Sequence, residues 1–104
     1  MLIVTSQSIE GRKIVDYFGI VSGDAIVGAN IFRDVFARVR DVVGGRAGGY
    51  ENALRGAKAH AIEDMTEEAQ ERGANAIIAV DLDYEVIGDS MLMVSANGTA
   101  VRLE

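Results

Sequence analysis

The sequence predicts an α+β domain of two layers, one long helix packed on an antiparallel sheet, with a shorter amphipathic helix beside them. Three observations carry that expectation. Residues 77 to 86 end in clear alternation, with Ile78, Val80, Leu82, Tyr84 and Val86 on one side and Asp81, Asp83 and Glu85 on the other, the period of a strand with one buried face. Between Tyr50 and Arg72, residues Leu54, Ala57, Ala61, Ile62, Met65 and Ala69 fall on one helical stripe. The chain has 104 residues, 49% hydrophobic and 25% charged, which suits one core and leaves no room for a second, so residues 1–104 read as a single domain.

The elements follow in order. Residues 1 to 5 are an apolar, β-branched run closed by Thr5, Ser6, Gln7 and Ser8, which reads as a strand buried on both faces and then a turn. From Lys13 to about Val27 the chain is rich in Ile, Val, Tyr and Phe. Gly19 and Gly23 interrupt it, so a long bent or bulged strand fits better than a helix, and Gly28 ends it. Ile31, Phe32, Val35, Phe36, Val39, Val42 and Val43 recur at steps of three and four, which predicts the shorter amphipathic helix; its β-branched content leaves it dependent on packing partners. Gly44, Gly45, Gly48 and Gly49, with Arg46 and Ala47 among them, break that helix. The long helix from Tyr50 stops at Gly73, which can adopt the left-handed capping conformation, and its Ala and Gly content permits close approach to a sheet. Gly88, Asp89 and Ser90 then form a hairpin turn into a strand from Met91 to about Val101. A three-residue loop aligns Leu92, Val94 and Ala96 with Leu82, Tyr84 and Val86; a two-residue loop would align them with the acids.

Composition narrows the function. No apolar run approaches the roughly 18 to 20 residues of a membrane-spanning helix, so no membrane association is expected. The chain enters Leu2, Ile3 and Val4 without a basic leader, which makes cytoplasmic location the expectation. Cysteine is absent, excluding disulfides, thiolate metal sites and cysteine nucleophiles. Ten Lys and Arg stand against sixteen Asp and Glu, a net charge of −6 that disfavours a nucleic-acid partner. With one His and no serine in a recognisable nucleophile turn, no catalytic dyad or triad can be assembled, and no enzymatic activity is expected.

Arg40, Asp41, Val43, Gly44, Gly45, Arg46, Gly48, Tyr50 and Glu51, followed by Gly73 through Ile78 and by Asp83, Tyr84 and Glu85, make the whole chain resemble the YbjQ-like family. The resemblance implies a helix-on-antiparallel-sheet subunit like that of dodecin, assembled with copies of itself as a ring of five. It implies little chemistry. The heavy-metal-binding label attached to the family finds no thiol here and one imidazole, His60.

Three candidate sites emerge. On the long helix His60, Glu63, Asp64 and Glu67, with Glu71, lie at steps of three and four, on a face roughly 140° from the Leu54 stripe. Imidazole with carboxylates suits a divalent metal such as zinc or manganese; the same spacing is also that of a solvated acidic face. Asp81, Asp83 and Glu85 place three carboxylates at steps of about 7 Å along one strand face, near Met91 and Met93, a mixture of hard and soft ligands poorly suited to one metal. If an oligomer buries that row, Arg33, Arg38, Arg40 or Arg46 of a neighbour would be its partners. Gly45, Arg46, Gly48 and Gly49, running into a helix N-terminus, offer amide donors and a cation for a small anion, or simply a sharp connection between helices. Self-assembly is the leading functional expectation, because one helix stripe and one sheet face cannot bury Phe32, Phe36, Val39 and Val43 as well as the strands' own apolar residues. A non-enzymatic binding or scaffolding ring is the expected role, with metal-ion binding and an intersubunit anion site as its alternatives; no cofactor is required.

Overall fold

The computed structural model describes residues 1–28, 48–88 and 91–104, with the side chains of 48–50 excepted. Along the described chain run β1 (Leu2–Ile3), β2 (Ile14–Val27), α1 (Gly48–Glu71), β3 (Ala76–Ile87) and β4 (Met91–Leu103). They form one sheet, ordered β1-β3-β4-β2, with α1 packed on β2 and β4. The expected helix over Ile31–Val43 and the turn residues Gly44, Gly45 and Arg46 lie outside the described residues.

The long helix forms where its stripe places it, beginning at Gly48 rather than Tyr50, so that Gly48 and Gly49 belong to the helix and not to the connection before it. Ala57, Ala61, Met65 and Ala69 are buried against the sheet, and Leu54 and Ile62 pack at the margin. It ends as the glycine forecasts. Gly73 sits at φ 85°, its N–H bonds the Gln70 carbonyl, and the Ala74 N–H reaches back to Ala69, the paired pattern that satisfies a helix's last carbonyls. Asn75 then ties the exit to β4. Its side-chain amide donates to the Leu103 carbonyl at 3.0 Å and its oxygen accepts from the Leu103 N–H at 2.7 Å.

β2 is the long irregular strand its glycines forecast. Its register against β4 shifts between Ile14 and Asp16 and between Tyr17 and Gly19, where Gly19 takes φ 90°. Gly23 marks no bulge. It is where the helix touches the strand: a Cβ there would run into the Ala61 carbonyl oxygen and the Met65 amide nitrogen. Only a small residue lets the backbones approach so closely.

Four expectations are corrected. The sheet is mixed, because β1 runs parallel to β3, pairing Leu2 with Ala76 and Ile3 with Ile77. After β2 on the far edge and a helical crossing, the chain re-enters the sheet in β1's direction. β1 is also shorter than residues 1–5 and is not buried on both faces; it is an edge strand, and Leu2 is exposed. The three-residue hairpin loop holds, with Leu82, Tyr84 and Val86 facing Ala96, Val94 and Leu92, but Ile78 does not share their side. Ala79 and Val80 together oppose Gly98, so the strand's alternation flips there. Ile77 joins the helix side and Ile78 the other. Finally, the apolar side of β3 is not buried throughout. Tyr84 is 50% exposed and Val86 62%, since α1 lies over β2 and β4 and hardly reaches β3.

The core is therefore two clusters on opposite faces. Val21, Ala25, Val27, Ile77, Leu92, Val94, Ala96 and Ala100 pack under the helix. Ala76, Ile78, Val101 and Leu103 pack on the reverse, under Val4, Ile9 and Ile14.

Candidate functional site

One row of the helix follows the outer edge of β2. His60, Asp64, Glu68 and Arg72 are each four residues apart, so they stand above one another along α1 and its C-cap. Three of them finish the strand's backbone. The Arg72 guanidinium donates to the Phe18 carbonyl at 2.9 Å and the Ile20 carbonyl at 3.0 Å, on either side of the Gly19 kink. It also pairs with Glu68 at 2.8 Å. Glu68 accepts the Ser22 N–H at 3.2 Å, and Asp64 accepts the Asp24 N–H at 3.3 Å. Carbonyls meet a cation and amides meet carboxylates, so groups that would template another strand are occupied.

That arrangement redefines the predicted metal set. Asp64 is engaged with the Asp24 amide, and His60, Glu63 and Glu67 are exposed. Among the described residues, no three His, Cys, Asp or Glu side chains come together to hold a metal ion. Helical spacing alone would keep the four on one face, but Asp64 is turned to the edge of β2 and the four do not gather as a metal site. His60 instead borders a mostly apolar hollow of about 590 Å³ between the end of β2 and the first turns of α1, walled by Asp24, Ile26, Val27, Ala53 and Ala57 among others. Sequence reasoning missed Glu68 and Arg72 as a pair. Their signal was available in the i, i+4 spacing of acid and arginine at the helix end.

The second candidate, the acid row of β3, is placed as the alternation forecasts. On the sheet face turned away from the helix, Asp81, Asn97 and Ser22 form one cross-strand line, Asp83, Ser95 and Asp24 the next, and Glu85, Met93 and Ile26 the third. The Ser95 hydroxyl donates to Asp24 at 2.8 Å. The charge of Asp81 pushes the Asp83 pKa above the usual carboxylate value, helped by some loss of hydration, a hydrogen bond shared with Asp81, and Glu85 beyond. Asp83, Glu85, Met93 and Ser95 line a shallow hollow of about 410 Å³. On this face Ile20 is 72% exposed and Ile26 60%. Of the anion-site residues, Gly48 and Gly49 open α1, while Gly45 and Arg46 lie outside the described residues.

Comparison with known proteins covers the whole chain. Residues 1–104 match the YbjQ family profile described as "Putative heavy-metal-binding". A UPF0145 protein of Bacillus thuringiensis subsp. konkukian (strain 97-27) is 56% identical over 103 residues, 99% of this chain and 100% of that protein. A UPF0145 protein of Bacillus cereus (strain ATCC 14579) is similar to the same extent. Among solved structures, a protein of unknown function from the DUF74 family of Pediococcus pentosaceus ATCC 25745 superposes with a TM-score of 0.57. It is 17% identical, over 100% of this chain and 98% of that one, a likeness of fold alone.

Proposed function

The chain belongs to the YbjQ-like family, and from that premise we propose that it is a non-enzymatic subunit of a homo-oligomeric ring, of five copies as the family resemblance implies, acting as a binding or scaffolding body in the cytoplasm. One observation carries this reading: large apolar side chains stand exposed on both faces of the sheet, Tyr84 and Val86 on the helix side, Ile20 and Ile26 on the reverse. Exposed apolar residues distributed this way favour association, and copies of the same chain are the partner always present at matching concentration. No helix among the described residues is long and apolar enough to cross a membrane, so a bilayer is not the cover this reading invokes.

Light scattering on size-exclusion fractions tests it. A discrete multimer whose mass holds across a hundredfold dilution is expected, and a monodisperse monomer would sink the reading.

The description of the family raises metal binding as the alternative, and the residues of one subunit do not fit it. The chain offers no thiolate for a soft ion, its one imidazole stands on an exposed helix face, and the nearest carboxylate to it in the row accepts a backbone N–H. Zinc added in a calorimeter should give the same heat with wild type and His60→Ala. A stoichiometric site lost in the variant would reverse the preference.

A further inference from the structure

The helix row that closes the outer edge of β2 has one member without a bond to the strand. Going up the row, Arg72 serves the Phe18 and Ile20 carbonyls, Glu68 the Ser22 N–H and Asp64 the Asp24 N–H. Each step of four residues along α1, about 6 Å, matches a step of two residues along the strand, about 7 Å. His60 is the next helix residue in that series, and Ile26 the next strand residue. The register of β2 against β4 runs without a break from Gly19 to Val27, so the Ile26 N–H points outward as those of Ser22 and Asp24 do. No hydrogen bond joins His60 to the strand, and among the described residues none accepts the Ile26 N–H.

Helix and strand stand apart at this point, and the hollow of about 590 Å³ lies between them. Small-molecule pockets span roughly 300–1,000 Å³ and are mostly apolar, with a few polar groups that orient the ligand. Here Val27, Ala53 and Ala57 supply the apolar wall, while the Ile26 N–H and the His60 imidazole supply the polar end. Both of those groups donate, since an imidazole carries an N–H in either protonation state. The carboxylate that would oppose an anion, Asp24, accepts the Ser95 hydroxyl at 2.8 Å on the sheet face away from the helix. Gly56 widens the opening, because nothing lies within 4 Å of where its Cβ would stand.

We propose that this hollow binds a small carboxylate with an apolar tail, its head accepting the Ile26 N–H and an N–H of His60 and its tail lying on Val27, Ala53 and Ala57. The ligand's carboxylate takes the part that Glu68 and Asp64 play on the two neighbouring rungs, where the same kind of acceptor meets the same kind of strand amide. The site lies within one subunit, and it stands whether or not the chain assembles.

Hexanoate is the probe. Titrated into isotope-labelled protein, it should move the amide resonances of Ile26, Val27, Gly56 and His60 saturably in two-dimensional NMR spectra. His60→Ala should weaken binding about tenfold, the worth of one hydrogen bond to a charged group. Gly56→Leu should abolish binding by putting a side chain into the hollow. That variant keeps its fold, because the new Cβ meets open space and leucine favours a helix over glycine; an unchanged urea midpoint checks it. Wild-type resonances that do not move with hexanoate in the tens of millimolar overturn the proposal, and so does undiminished binding to Gly56→Leu. Hexylamine binding as well as hexanoate, or an affinity for hexanoate unchanged in His60→Ala, overturns the choice of a carboxylate as the ligand.

Discussion

Two residues carry more of the structure than their size suggests. Gly23 lets α1 lie directly on β2, and its missing Cβ is occupied by helix backbone that has no soft end to move aside. Gly23→Ala should cost about 3 kcal/mol, the upper end of ordinary overpacking, read as a lowered urea midpoint with an unchanged slope. Asp83 illustrates a different principle. Its pKa is raised chiefly by the Asp81 charge, so the folded state holds a proton that the unfolded chain has released. Between the unfolded and folded pKa values the native state binds more protons, and stability falls as pH rises through that window. Above it the repulsion is fully present. Asp81→Asn should therefore bring the Asp83 pKa, followed by carboxyl-carbon NMR, back toward the ordinary carboxylate range and weaken the acid-side pH dependence. A pKa unmoved by that change would mean that another neighbour raises it.

At the scale of elements, the clasp between α1 and the β2 edge gives Asp64, Glu68 and Arg72 a role in closing the strand. Removing Asp64 or Glu68 side chains as alanine should cost about 0.5–1 kcal/mol each, since these are partly solvated hydrogen bonds. Amide exchange is the sharper readout. The Asp24 N–H should exchange faster in Asp64→Ala and the Ser22 N–H in Glu68→Ala, each without change at the other. Much at this scale was legible beforehand. The stripe from Leu54 to Ala69 and the stop at Gly73 follow from helical period and glycine capping, and the hairpin register follows from a three-residue turn. The bulge at Ala79 and Val80 was not legible. Ala79 adopts φ 52° without the glycine that usually announces such a conformation, held by its N–H to the Ser6 carbonyl. That contact is long-range, and no local pattern encodes it. The candidate metal row illustrates a related point: spacing on one helix fixes which residues share a face, while the strand beside that face gives Asp64 a backbone N–H to accept.

For the whole molecule, the described subunit covers one face of the sheet with a helix over β2 and β4 and part of the other with the chain from Val4 to Ile14, and leaves apolar side chains exposed on both. The sequence located its apolar excess in Phe32, Phe36, Val39 and Val43, which lie outside the described residues. The exposed apolar side chains that are described stand on the sheet instead, Tyr84 and Val86 because α1 lies over β2 and β4 and hardly reaches β3. The most direct measurement is native mass spectrometry of untagged protein purified without chelator. The expected result is one closed species at an integral number of subunits, five by family resemblance, at the mass of the bare chain. A spectrum dominated by monomer would contradict the account.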